Sequence, residues 1–395
     1  MKRFMSVLAL VLLLLLPTLT LCGQDALPGD VFPDSRSRLP FVKLEDLDEH
    51  AKKEYAAAVA AFAGTQTMGA TIRLAGYRGN VVQSESPLGQ ALMQLVILAT
   101  AREHDQPFEW SLHELQAIAV GLDPAVIDVV RNRKPLAALD ENEATVIQIS
   151  RELFATHQLS SETYAGALKV LGTRNLVDVV GLMGDYSATS ASLSAFNQQL
   201  PPGWKQLLPL PFTLPDDIHA DSRSRLPLIQ GIVRPLPAFA TALYGRELAP
   251  NGTGPAQLRQ HGAGLASLEA SVGRPTIDLA ILVTAREHDS QYDWTMNETI
   301  AVKDGLNPVV IEAVRNRKPA AGLAEKDVCL IEFARELFRA HYVTPETYSR
   351  AVKAFGERDL VDLVNVMGQH TREAALLAAF DQRLPAGQRP LLGSR

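Results

Sequence analysis

The chain has 395 residues, 47% hydrophobic and 21% charged, which is enough for two ordinary domains with substantial cores. Its formal net charge is −6, which argues against a nucleic-acid binder, because phosphate contacts need a concentrated basic face. Only two cysteines occur, Cys22 and Cys329, so no disulfide framework is expected.

Residues 1–23 read as a signal peptide. Lys2 and Arg3 precede an apolar run from Val7 to Leu16, and Pro17 follows. The run is short for a membrane span, so export to a periplasmic or secreted location is expected, with no stable span after processing. Cys22 leaves lipoprotein attachment open, although Leu21 before it is bulky where such signals want a small side chain.

Beyond the signal, the dominant feature is an internal repeat. DSRSRLP occurs at 34–40 and 221–227, TAREHD at 100–105 and 284–289, RNRKP at 131–135 and 315–319, RELF at 151–154 and 335–338. The order is the same each time, so two homologous domains are expected, 34–205 and 221–390, joined by a linker over 206–220 in a proline-rich stretch.

Each half reads as helices, giving an all-α fold class. Leu88, Leu92, Leu95 and Ala99 recur at helical spacing. A second helix begins near Pro107 and ends at Gly121. Asp123-Pro124 and Asn307-Pro308 each give a cap and a first-turn proline. Asp140 with Glu143 resembles a capping box. Ser160 to Leu171 and Leu176 to Phe196 give two further helices, separated at Gly172.

Chemistry-bearing residues gather in AREHDQPFEWSLH, residues 101–113, and its second copy AREHDSQYDWTMN, residues 285–297. On a helix, Glu109 and His113 stand at i and i+4 on one face, with Trp110 beside them. Glu103 and His104 end the preceding helix. A carboxylate beside an imidazole, walled by an indole, suits proton transfer near neutral pH. The catalytic candidates are therefore His113 and Glu109. Glu103, His104, Trp110, Arg131, Asp278 and His288 are candidates for contact with the substrate. Arg131 also fits a plainer role, a cation at a helix C-terminus. The spacing is not that of a zinc HExxH helix, and no metal or other cofactor is expected.

The segment Phe108-Glu109-Trp110-Ser111-Leu112-His113, followed by Ala117, Gly121 and Leu122, resembles the carboxymuconolactone decarboxylase family, which includes the alkylhydroperoxidase-like AhpD proteins. The resemblance covers both halves. It implies two AhpD-like helical domains of about six helices each, fused as an intrachain pseudo-dimer, and association into homo-oligomers. The family's peroxidase branch carries Cys-x-x-Cys-x-x-x-His. Here the cysteine positions hold Gln106 and Glu109, and in the second copy Ser290 and Asp293. Thiol chemistry needs a thiolate, so peroxiredoxin activity is disfavoured. The decarboxylase branch resembles Glu-x-x-x-His, and implies a cofactor-free lyase acting on a small carboxylated lactone or related acid. A non-catalytic binding member of the fold is the alternative.

The family's upstream glutamate falls on Gln94 in the first copy and on Asp278 in the second, while the histidine becomes Asn297 in the second. The expectation is one working pocket per chain, centred on His113 and completed by the other half. Tyr186 and its counterpart His370 fit either an approach to the pocket from the last helix or plain core packing.

Overall fold

The computed structural model describes residues 27–47, 49–61, 86–211, 215–229 and 255–393. The expected signal peptide lies outside these residues. Among them the architecture is all-helical, with one isolated bridge between Phe32 and Ser37 and no sheet. The first half holds α1 (Glu49–Ala61), α2 (Gly89–Glu103), α3 (Pro107–Ala119), α4 (Pro124–Arg131), α5 (Glu141–Thr156) and α6 (Ser161–Ala195). The second holds α7 (Pro255–Gln260), α8 (Leu265–Val272), α9 (Arg274–Glu287), α10 (Gln291–Lys303), α11 (Pro308–Arg315), α12 (Glu325–Ala340), α13 (Pro345–Phe355) and α14 (Glu357–Ala379). No helix among the described residues is long and apolar enough to cross a membrane.

The helix starts follow local chemistry. Gln106, Asp123 and Asn307 each accept a backbone N–H two residues on, with a proline in the first turn after Gln106, Asp123 and Asn307 alike. Asp140 and Glu143 cap one another as a capping box. The second copy replaces that box with Ala324, which has no side-chain cap. α6 is broken at Gly172, whose φ of 72° and ψ of 165° are open essentially only to glycine. Gly356 takes the same conformation between α13 and α14. Gly172→Ala is therefore expected to cost about 1–3 kcal/mol, read as a lower denaturant midpoint at unchanged slope; open space surrounds the position, so backbone strain is the whole effect.

Two hydrophobic cores result, and each borrows from the other half. The first-half core takes in Ala375, Leu376, Ala379 and Phe380 from the end of α14. The second-half core takes in Leu193, Ala195 and Phe196 from the end of α6. α6 and α14 pack closely on one another. At their crossing a Cβ on Gly184 would sit 3.0 Å from Arg372 Cγ and 3.2 Å from its carbonyl oxygen, so any larger residue would push α14 back by a few tenths of an ångström.

The two DSRSRLP segments lock this exchange. Arg38 donates to the carbonyls of Leu159 and Ala379 and pairs with Asp30. Arg225 donates to the carbonyls of Val343 and Ala195 and pairs with Asp217. Each arginine thus ties its own half to the C-terminus of the other half's long helix. The contacts are reciprocal between the two halves. The stretch read as a linker is not free chain. Leu208 is buried in the first core, and Leu207 N–H donates to Ser111.

Candidate functional site between the halves

Glu109 and His113 meet as the i, i+4 spacing requires, His113 Nε2 to Glu109 Oε2 at 3.1 Å. His113 Nδ1 lies 2.8 Å from Gln94 Oε1 on α2, and Tyr186 of α6 stands edge-on at 5.0 Å. Both ring nitrogens are engaged. Glu109, Trp110 and His113 are 2%, 0% and 5% exposed, and none of them lines any of the three cavities described below. Trp110 Nε1 donates to Glu114, which also pairs with Arg131. Arg131 stacks over the indole at 5.7 Å. It anchors α4 to α3 and lines none of the three cavities described below.

The second copy rebuilds the same pair differently. Asn297 donates to Asp293, and His370 from α14 lies 2.8 Å from Asp293 Oδ2. The imidazole missing at 297 is supplied from position 370, where the first half has Tyr186. Burial pulls His370 down, but the Asp293 charge and hydrogen bond outweigh it, leaving its pKa above the usual histidine value. Asp278 pairs with Arg274 at 3.0 Å, and burial raises its pKa to about 6 against that attraction. His113 is held by Gln94, Glu109 and Tyr186 of the first half, and Asp278 by Arg274 of the second. The two incomplete motifs are completed within their own halves.

The other expected residues come together elsewhere. Glu103, His104, Glu287 and His288 line a chamber of about 50 Å³ between the halves. His157 and His341 line it as well, and they are the histidines for which sequence suggested no role. Both terminate helices in the left-handed conformation, with φ of 53° and 51°. His104 faces His341 at 5.4 Å and His157 faces His288 at 5.7 Å, each pair joining one half to the other. His104 Nδ1 is 2.9 Å from the Thr100 carbonyl, and His288 Nδ1 is 2.9 Å from that of Thr284. A carbonyl can only accept, so Nδ1 carries the proton and Nε2 is left as the acceptor. Burial, reinforced by the facing imidazole, lowers both rings to about 3, so both are neutral at pH 7. Each ring keeps some surface toward the chamber, yet desolvation is the largest cause of its shift. Ser190, 1% exposed, presents a hydroxyl without a hydrogen-bond partner beside the chamber. Among the described residues no three histidine, cysteine or carboxylate groups are placed to hold a metal ion.

The chamber borders two larger clefts. His341 is shared with one of about 890 Å³, lined by Asp105, Asp216 and Asp217 and, among the described residues, by no lysine or arginine. His157 and His288 are shared with another of about 250 Å³, lined also by Asp289, Arg36 and Arg383. In this second cleft His157 Nδ1 of the first half stands 3.7 Å from Asp289 Oδ2 of the second. Arg36 donates through Nε to the Leu384 carbonyl, and Arg383 pairs with Asp381 at 2.7 Å. Each arginine retains N–H groups beyond those contacts. Sequence reasoning passed over Arg36, Arg383 and Asp289 because only the docking of the halves assembles them. No family model, no curated protein and no solved structure matches this chain.

Proposed function

We propose that this protein is an exported, carboxymuconolactone decarboxylase-like lyase. It acts without a cofactor on a small carboxylated lactone or related acid, in the 250 Å³ cleft between the halves. The observation that carries this reading is the composite pair of His157 and Asp289, from different halves, in a cleft that also holds two arginines. Arg36 and Arg383 engage a carboxylate of the substrate. His157 moves the proton to or from carbon, and Asp289 steadies the imidazolium as it forms. His288, neutral and with Nε2 as acceptor, takes a hydrogen bond from the substrate without competing for its charge. In a decarboxylation the bond to the departing carboxylate breaks and its electrons pass into the lactone carbonyl. Protonation of carbon by His157 completes the step.

The Glu109–His113 pair has a structural task in this scheme. It holds α2, α3 and α6 together through Gln94 and Tyr186. The 890 Å³ cleft has no lysine or arginine among its described lining residues to receive a carboxylate, so one substrate binds per chain. Calorimetric titration with small mono- and dicarboxylates tests the assignment. Wild type binds with unit stoichiometry, and Arg36→Ala with Arg383→Ala weakens binding by about 10–100-fold. Unchanged affinity in the double variant removes the cleft from consideration.

A further inference from the structure

The four chamber histidines do more than border a ligand cleft. His104 and His157 belong to the first half, His288 and His341 to the second, and both ring pairs bridge the joint. The neighbouring charges are already committed. Glu103 pairs with Arg133 at 3.2 Å. Glu287 takes both arms of Arg339 at 2.6 and 2.7 Å, with Arg317 and Arg335 at 3.9 Å. Asp105 is held by Arg102, and Asp289 by Arg286 and Arg317. Asp105 and Arg133 act on His341 in opposite senses. From α6 and α14 the chamber receives Ser187, Ser190, Ser194 and Thr371, and from α5 and α12 Phe154, Leu337 and Phe338, none of them charged. A proton arriving on His104 or His341 therefore meets another imidazole and no uncommitted carboxylate.

We propose that acid opens this joint: charging His104 and His288, each buried against an imidazole of the other half, drives the halves apart and dismantles the cleft they share. The inference stands on the joint's geometry. Its consequence, loss of the small-acid site at low pH, rests on the function proposed above. The direction follows from proton linkage. In the opened state His104 and His288 return toward the ordinary value of 6.5, so the opened state binds more protons. The closed state holds its full advantage above pH 6.5 and loses it as pH falls from there toward 3. Each of His104 and His288 shifts the open-to-closed ratio about tenfold per pH unit in that window, about a hundredfold for the two. From pH 7 to pH 5 the open-to-closed ratio rises by about 10³. His341, also lowered by burial, adds to this.

Hydrogen–deuterium exchange of the full chain without ligand, corrected for intrinsic rates, tests the joint separately from any catalytic claim. Wild type moved from pH 7 to pH 5 is expected to lose protection by about 10³ where α6 crosses α14 and at the ends of α5 and α12. The centres of α2 and α9 stay protected. His104→Gln/His288→Gln is expected to abolish most of that difference. Protection that does not change with pH, or that falls equally in the variant, overturns the proposal. Should the variant fail to fold, a ¹³C-histidine NMR titration of wild type decides. Two rings that stay neutral to below pH 4.5 support the joint, and every ring titrating near 6.5 overturns it.

Discussion

Arg225→Ala is expected to destabilise the protein by about 3–5 kcal/mol, the range for breaking a buried charge pair by removing one partner. The Arg225 side chain is fully buried, with its Nε 2.6 Å from Asp217. Its other nitrogens serve the carbonyls of Ala195 at 3.2 Å and Val343 at 2.8 Å. The guanidinium lies 4.7 Å from the Tyr348 ring centre. Truncation leaves Asp217, whose Oδ1 already has no hydrogen-bond partner, as an uncompensated carboxylate. It also strips the donor from the last residue of α6. The loss appears as a lower guanidinium midpoint at pH 7. Arg223→Ala is the control, since that side chain offers its Nε to the Leu200 carbonyl alone and its loss is worth about 1 kcal/mol. Arg38→Ala should match Arg225→Ala, because Arg38 makes the equivalent contacts in the other half. A cost below about 1 kcal/mol at Arg225 would show that the reciprocal clamps do not hold the halves.

His157→Gln is expected to lower turnover of small lactone acids by about 10²–10⁴-fold, the usual contribution of a positioned acid or base. Glutamine keeps a polar group of similar reach but cannot carry the proton. Asp289→Asn should lower kcat with little change in KM, because Asp289 steadies the charged imidazole and makes no contact with substrate. His113→Gln separates the two candidate pairs. It disturbs Glu109 and Gln94 in a sealed contact, so it costs about 1–3 kcal/mol of stability and leaves kcat within a few-fold of wild type. The reverse pattern, with kcat lost at His113 and kept at His157, returns the chemistry to α3.

Much of the fold was legible because it is written in local chemistry, most of it present in both halves. The Asp140–Glu143 box, the Asp123-Pro124 start and the break at Gly172 need only a few neighbouring residues, and all three are present. The Glu109–His113 contact is likewise set by helical spacing. What spacing could not give is burial. Gln94 and Tyr186, which close over His113, come from α2 and α6. The same limit explains the second copy. Asn297 reads as a lost imidazole, yet His370, far along the chain on α14, restores the carboxylate–imidazole pair. His157 and His341 are repeated in sequence with no motif around them. They gain meaning only where the two halves dock, and that docking depends on helix ends exchanged between cores.

A ligand-bound crystal structure tests the placement of the site most directly. Crystals grown with a small carboxylated lactone or an unreactive analogue are expected to show its carboxylate within hydrogen-bond reach of Arg36 and Arg383, and its reacting carbon beside His157. Density for the ligand among Gln94, Glu109 and His113, with the cleft between the halves empty, would contradict the account.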